Sequence, residues 1–264
     1  MAWWGKLIGG AFGFLLGGPL GALLGAALGH NFDRGLKGLS HTAPGDQERV
    51  QTAFFTATFS VMGHVAKADG QVSPSEIRLA EAVMAQMRLD ADKRRAAINL
   101  FNQGKRADFP LEDVLEQFRT ECHRRRTLVQ MFIEIQLQAA YADGDMNAAE
   151  QHVLLHICDQ LGFSRQIFRH LEGMIRAAAG ASQQRSRRAA TPRDTVAAAY
   201  RILGTELSAT DAEIKKAYRR LMAQHHPDKL VAKGLPEEMI ELATQKTQEI
   251  RKAYERIKEA RGLR

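Results

Sequence analysis

Cysteine is scarce in this sequence. Among 264 residues the only cysteines are Cys122 and Cys158, and they form no Cys-x-x-Cys pair. Two distant cysteines exclude the dense disulfide framework of small secreted domains, and the missing pair excludes the usual zinc-ribbon spacing. We therefore expect two ordinary core thiols in a protein of a reducing compartment.

The sequence also lacks the motifs of common hydrolases and nucleotide-binding proteins. It contains no Gly-x-x-x-x-Gly-Lys-Ser/Thr run, no Gly-x-Ser-x-Gly elbow and no His-Glu-x-x-His helix. His152 and His156 lie one helical turn apart, but Val153 stands where a zinc protease carries its glutamate base. We expect a hydrogen-bonded or solvent-facing histidine pair, and a chain that is not itself an enzyme.

A calcium-binding loop is suggested by spacing and excluded by composition. Asp143, Asp145 and Asn147 occupy the first, third and fifth positions of such a loop. The sixth position is Ala148, where the loop needs glycine, and the twelfth is Leu154, where it needs glutamate. Asp69 and Asp143 are interpreted as turn residues, and we expect neither a metal site nor a cofactor.

The net charge of +7 is concentrated in one short segment. Residues 181–193 carry +4, whereas residues 46–180 carry −2. Serine, glutamine, alanine and proline separate the arginines of this segment, which is typical of a flexible basic linker. No aromatic residue stands between these charges to stack on a base, so we expect no specific nucleic-acid binding.

A long run without charge lies near the N-terminus. From Leu7 to Leu28 there are 22 uncharged residues, enough at about 1.5 Å per residue to cross a hydrocarbon layer of about 30 Å. We predict a transmembrane helix over residues 7–29 after a short tail, residues 1–6. This run exceeds the apolar region of a cleaved signal peptide.

Glycine recurs at every fourth position of the predicted transmembrane helix and lines one face of it. Small-residue faces allow helices to approach closely in a bilayer, so a homodimer through this helix is an alternative to simple anchoring. The glycines of this strip are Gly9, Gly13, Gly17, Gly21 and Gly25.

The middle of the chain contains an internal repeat. Residues 66–76 and 140–150 match at an offset of 74, and each contains Ala-Asp-Gly before a new helix. Ser73 with Glu76, and Asn147 with Glu150, have the spacing of capping boxes. We predict a helical domain over residues 46–180, built from two related hairpins that pack face to face.

A strongly patterned amphipathic helix lies near the C-terminus. Thr210 and Glu213 have the spacing of a capping box, and apolar residues follow at helical intervals. The opposite face is basic, and like charges one turn apart destabilise a helix, so this face indicates an acidic partner. Its residues are Lys215, Lys216, Arg219 and Arg220.

The tripeptide His226-Pro227-Asp228 follows this helix, and the proline is expected to end it at an exposed loop. In order and spacing, residues 200–204, the basic helix, the tripeptide and residues 249–257 resemble the J-domain of DnaJ-family co-chaperones. The resemblance implies a J-domain over residues 194–264 that binds a DnaK-type chaperone ATPase through the tripeptide and the basic helix. The sequence has neither the glycine/phenylalanine-rich segment nor the zinc module with which a full DnaJ holds substrates.

The middle segment is similar to the TerB-like helical domain, and the order of segments resembles the membrane-bound DnaJ-like co-chaperones. The resemblance implies an all-α, stress-related co-chaperone of the bacterial inner membrane that directs a DnaK-type chaperone to membrane-associated clients or signalling partners. Because a J-domain acts where its ATP-dependent partner is, we expect a periplasmic N-terminus and a cytoplasmic bulk. The alternative is a membrane scaffold or envelope-stress sensor acting mainly through the TerB-like domain.

Overall fold

The computed structural model describes residues 18–27, 46–70, 74–87, 89–122, 125–141, 145–185, 192–232, 235 and 240–262. Within these residues the regular structure is helical and contains no β-strand, in agreement with the all-α prediction. The helices that follow residue 45 are α1 (Asp46–Ala66), α2 (Pro74–Gln86), α3 (Ala91–Gly104), α4 (Leu111–Glu121), α5 (Arg126–Ala140), α6 (Ala148–Gln160), α7 (Arg165–Arg185), α8 (Pro192–Leu203), α9 (Asp211–His225), α10 (Pro227–Val231) and α11 (Ile240–Arg261).

Helix α1 is the centre of the middle domain. From Val50 to its end it carries no Asp, Glu, Lys or Arg, and a helix of this kind is buried on all sides rather than along one stripe. It packs against α3, α4 and α5. Phe118 of α4 contacts Phe54 of α1 at 6.0 Å and Phe132 of α5 at 4.7 Å between ring centroids.

The two copies of the repeat meet through the helices that precede their turns. Helix α1 ends at Ala66 and α5 ends at Ala140, and the two helices pack against each other. The side-chain amide of Gln136 donates a hydrogen bond to the carbonyl of Thr58 at 3.1 Å. Helices α3 and α4 lie between the two copies in sequence and complete the core, which the repeat did not predict.

The turns of the repeat are joined by polar contacts. Asn147 and Glu150 form the predicted capping box at the start of α6. The amide of Asn147 also donates to the carboxylate of Asp69 in the other copy at 3.4 Å. Ser73 and Asp143 lie outside the described residues.

Helices α1 and α3 cross with their backbones in contact. A Cβ atom at Gly63 would lie 2.0 Å from the carbonyl oxygen of Phe101, and one at Gly104 would lie 1.7 Å from that of Ser60. Backbone atoms cannot move aside as a flexible side chain can. The two glycines therefore permit this crossing because they have no side chain.

The Gly104→Ala variant is expected to destabilise the middle domain by about 3 kcal/mol or more, at or above the usual range for overpacking. The matched control is Gly173→Ala in α7, where nothing lies within 4 Å of the added Cβ. That control should gain roughly 0.5–1 kcal/mol from helix propensity. Urea unfolding of the full chain, followed by circular dichroism, measures both, and an unchanged midpoint for Gly104→Ala would contradict the close crossing.

Helices α8, α9 and α11 form a second, smaller core within the predicted J-domain. Tyr218 of α9 stacks on Tyr254 of α11, with ring centroids 4.1 Å apart and planes 12° apart. Gly204 follows α8 with a φ of 62°, a left-handed conformation that favours glycine after a helix. Thr210 and Glu213 form the predicted capping box at the start of α9.

The segment predicted as a flexible linker, residues 181–193, is helical at both ends. Helix α7 extends to Arg185, and α8 begins at Pro192, a residue suited to the first turn of a helix. Residues 181–185 and 192–193 of the predicted linker are thus helical. Residues 186–191 lie outside the described residues. The composition of this segment predicted a flexible linker, but its described residues continue the helices on either side.

Of the predicted transmembrane helix, the structure describes residues 18–27, which are helical. Across the described ranges, no helix combines the length and the apolar character that crossing a membrane requires. Gly18, which belongs to this helix, has a φ of 60°, a left-handed conformation that favours glycine. Leu20 and Ala27 are buried in the same apolar cluster as α1. Gly9, Gly13 and Gly17 lie outside the described residues.

Candidate partner-binding surface and domain joint

The four basic residues of α9 lie on its exposed side. Ile214, Ala217 and Leu221 are buried on the other side, which follows from their helical spacing. Exposed cations on one helix face create a local positive potential that attracts an acidic surface. The exposed cations are Lys215, Lys216, Arg219 and Arg220.

Pro227 ends α9 at His225, as predicted, but it also begins the short helix α10. His226 caps this helix in an extended conformation, with φ −63° and ψ 123°. Proline suits the first helical position because the N–H group that it lacks would have no partner there. The exposed loop expected after α9 therefore begins with one helical turn, Pro227–Val231.

The side chains of His226 and Asp228 lie at the surface beside Pro227. The His226 side chain is 45% exposed and that of Asp228 is 91% exposed. Nδ1 of His226 lies 3.9 Å from Oδ2 of Asp228, too far for a hydrogen bond, and this nitrogen has no hydrogen-bond partner. The carboxylate of Asp228 is therefore accessible to a partner protein.

The C-terminal end of α9 contacts the middle domain. His225 and Glu134 of α5 have side chains only 5% and 9% exposed, and Nε2 of His225 lies 3.8 Å from Oε1 of Glu134. The amide of Gln130 donates to the same carboxylate oxygen at 2.9 Å. Beyond the tripeptide, Leu230 and Leu235 are buried and join the apolar cluster of the middle domain. We call this contact, centred on His225 and Glu134, the domain joint.

A cavity of about 450 Å³ lies at the domain joint and is lined by side chains of both domains. Of the four basic residues of α9, Arg220 lines this cavity. Beside it, the backbone of Gly204 approaches His170 of α7 so closely that a Cβ would lie 2.7 Å from Nε2. The polar lining includes Glu134, His170, Arg220, Gln224, His225 and Lys246.

Sequence reasoning missed both central residues of the domain joint. Position 225 continues the buried stripe of Ile214 and Leu221, so helical spacing alone could have placed His225 inside. Glu134 offers no such signal, because glutamate is almost always exposed unless a tertiary partner accompanies it.

Acidification is expected to weaken the fold through His225. Burial lowers the pKa of His225 from its ordinary value of 6.5; the Glu134 carboxylate opposes this shift and Lys246 adds to it. The unfolded chain therefore binds this proton at a higher pH than the folded chain does. It follows that the free energy of unfolding decreases as the pH falls below about 6.5.

Urea unfolding at about pH 7.5 and about pH 5.5 measures this dependence in the parent and in His225→Gln. Burial also lowers the pKa of His64, but His64 is present in both proteins. A smaller pH dependence in the variant therefore isolates His225. The same pH dependence in both proteins would contradict the assignment.

The two cysteines of the middle domain are buried, and one histidine of the predicted pair has a carboxylate partner. Cys122 and Cys158 are free and buried, and burial raises the pKa of each thiol to about 12, which confirms the predicted core thiols. Nε2 of His156 contacts the Glu112 carboxylate at 2.6 Å. His156 is thus hydrogen-bonded, and His152 is exposed to solvent, the two alternatives that the sequence left open.

Three family models match the chain in the predicted order. The model described as the co-chaperone DjlA transmembrane domain matches residues 1–39, tellurite resistance protein TerB matches residues 55–172, and the DnaJ domain matches residues 198–261. A J-domain joined to a TerB domain and to a membrane-anchoring region defines a J-domain co-chaperone with a membrane anchor.

Relatives of the same length support a narrower assignment. The co-chaperone protein DjlA of Coxiella burnetii is 45% identical and that of Shewanella oneidensis is 47% identical, each over the whole of both chains. The DjlA of Vibrio cholerae is 45% identical over 98% of this chain and 99% of its own. The chain belongs to the DjlA family of co-chaperones. No solved structure gave a significant match.

Proposed function

We propose that this chain is a membrane-anchored co-chaperone whose J-domain stimulates the ATPase of a DnaK-type chaperone. The observation that carries the proposal is the C-terminal end of α9. There an exposed basic face leads directly to the half-exposed imidazole of His226 and the exposed carboxylate of Asp228. The cationic side chains of α9 and the polar side chains of His226 and Asp228 thus lie side by side on one surface.

The basic face of α9 and the tripeptide have different roles in this proposal. The exposed cations steer the J-domain toward an acidic surface of the partner and speed their encounter. His226 and Asp228 then contact the docked partner. Stimulation requires that these contacts are tighter in the hydrolysis-competent state of the partner than in its other state. Hydrolysis itself takes place in the partner, and the chain acts as a regulator.

The anchor directs this activity to clients or signalling partners at the bacterial inner membrane. The match to a transmembrane domain over residues 1–39 supports anchoring. Since a DnaK-type chaperone needs cytoplasmic ATP, residues 1–6 are placed in the periplasm and the rest of the chain after the anchor in the cytoplasm.

Vesicles of defined orientation test function and topology together. Inverted inner-membrane vesicles that contain the chain are expected to accelerate ATP hydrolysis by an added DnaK-type chaperone, because the J-domain faces outward. Right-side-out vesicles should have no effect. Acceleration by neither kind of vesicle would contradict the function, and acceleration by right-side-out vesicles would contradict the orientation.

A second candidate is a membrane scaffold or envelope-stress sensor that acts mainly through the middle domain. The domain joint favours this candidate, because Glu134 of the middle domain contacts His225, the residue just before the tripeptide. Under this candidate, the Asp228→Asn variant would retain the scaffold or stress-sensor activity of the middle domain at the membrane. Loss of that activity in the variant favours the co-chaperone.

The glycine strip supports a further part of the proposal, a homodimer through the anchor. Within the described part of this strip, Gly21 and Gly25 lie one turn apart on a helix. Replacing Gly9, Gly13 and Gly17 with Leu is expected to reduce self-association, because side chains would separate the backbones while the segment stays apolar. Crosslinking in membranes, normalised to inserted protein, measures this. An unchanged yield would leave the strip as part of a simple anchor.

A further inference from the structure

A surface on α3 and α4 holds the helical segment 18–27 through its backbone. Gln117 of α4 accepts a hydrogen bond from the N–H group of Leu20 at 2.7 Å. On α3, the amide of Asn99 donates to the carbonyl of Ala27 at 2.6 Å, and that of Gln103 donates to the carbonyl of Leu23 at 3.3 Å. We call the surface that carries these three side-chain amides the amide surface.

The amide surface recognises the backbone of a helix and not a particular side-chain sequence. The contacts involve the N–H group of Leu20 and the carbonyl groups of Leu23 and Ala27, which are main-chain groups. From Pro19 to Ala27 the side chains are all apolar or absent, so the backbone offers the polar groups of this stretch. An apolar helix with a different side-chain order would present the same groups.

An apolar contact accompanies these hydrogen bonds. Leu20 is 1% exposed and Ala27 is 3% exposed, and both belong to the core cluster of the middle domain. Leu23 and Leu24 are partly buried and pack against the same cluster. The occupant of the amide surface is therefore both uncharged and apolar on the side that it presents.

Residues 18–27 lie within residues 1–39, which match the family model of a transmembrane domain. A bilayer and the amide surface suit the same segment, because both accept an uncharged apolar helix. The segment cannot occupy both at once. When residues 18–27 lie in the bilayer, the amide surface is open to another uncharged, apolar helix.

We propose that the amide surface binds short, uncharged, apolar helical segments of client membrane proteins, and that residues 18–27 are its resident occupant. This inference rests on the proposed function, for which it names the client class. It provides a client site in a sequence that contains neither a glycine/phenylalanine-rich segment nor a zinc module. The anchor then keeps the site beside the membrane, where such segments occur.

The test uses the full chain in lipid nanodiscs and two fluorescent peptides, each acetylated and followed by two lysines. One has the sequence of residues 18–27, and the other is a Leu/Ala helix of the same length in a different order. Fluorescence anisotropy measures binding, and empty nanodiscs correct for partition into lipid. The Leu20→Asn variant weakens the resident occupant and so increases the fraction of open sites.

Variants of α3 isolate the amide surface. Asn99→Ala with Gln103→Ala removes two donors while alanine favours the helix, and Asn102→Ala is the matched control, an exposed amide on the same helix. The parent or Leu20→Asn is expected to bind both peptides. In the Leu20→Asn background, where the resident occupant is already weakened, the double variant should bind at least about tenfold more weakly than Leu20→Asn alone, given about fivefold for each lost hydrogen bond. Asn102→Ala should bind as the parent does.

Three results would overturn the inference. They are an absence of peptide binding in both the parent and Leu20→Asn, equal affinity in the double variant, and binding confined to the peptide of residues 18–27, which would indicate exchange between copies of this chain. Stimulation of a DnaK-type ATPase is measured on the same nanodiscs without peptide. A failure of binding with intact stimulation overturns the client site alone, whereas lost stimulation in the parent overturns the proposed function.

Discussion

The Asp228→Asn variant is expected to lose the stimulation of a DnaK-type ATPase while it remains folded. The Asp228 side chain is 91% exposed and makes no hydrogen bond to His226, 3.9 Å away. Asparagine keeps the shape of the side chain and removes its negative charge. A partner that pairs with this carboxylate on docking would lose a desolvated charge-assisted contact, so we expect stimulation to fall by about thirtyfold or more at equal concentration.

Steady-state ATP hydrolysis with increasing amounts of the full chain measures this loss. Glu259→Gln is the matched control, because it removes one exposed carboxylate from α11 of the same domain. Circular dichroism and urea midpoints should be the same for the parent and both variants. If Asp228→Asn stimulates as well as the parent does, the tripeptide is not the active element and the proposed mechanism fails.

Reversing the charge of Lys215 and Arg219 to Glu is expected to slow association with a DnaK-type chaperone by about tenfold or more at low salt. Both residues are exposed, and they lie one turn apart on α9. They are preferred to Arg220, which lines the cavity at the domain joint. Raising the salt concentration should slow the parent in the same direction, because exposed charges are screened.

The control for this pair is Lys252→Glu with Arg256→Glu on α11. These residues are also exposed and one turn apart, so the change in net charge and in helix spacing is the same. Association rates come from stopped-flow or surface-plasmon measurements at several salt concentrations. Rates that respond equally to both pairs would indicate only a net-charge effect, and rates that respond to neither would indicate apolar docking.

The J-domain was predictable because its signals are local. The capping box of Thr210 and Glu213 sets the start of α9, and Pro227 sets its end. Ile214, Ala217 and Leu221 are buried as their spacing predicts. Each signal depends on residues within one or two turns, where backbone geometry alone determines which side chains share a face.

The middle domain was predictable only in part. Its repeat predicted the α1 and α5 helices and their mutual packing, but not that α3 would cross α1 at Gly63 and Gly104. It also gave no reason to expect Ile77, an apolar position of α2, to be 43% exposed. A periodic pattern defines a helix face, whereas the element that covers this face depends on contacts between distant parts of the chain.

The sequence by itself determined the helical class, the start of α6, both ends of α9, the exposed basic face and the tripeptide beside it. Tertiary structure alone decided that Glu134 meets His225 at the domain joint and that residues 18–27 lie on the amide surface. The first set follows from hydrogen bonds and periodicity along the chain. The second depends on which buried surfaces meet, and an isolated glutamate or an apolar run has several possible partners until the helices pack.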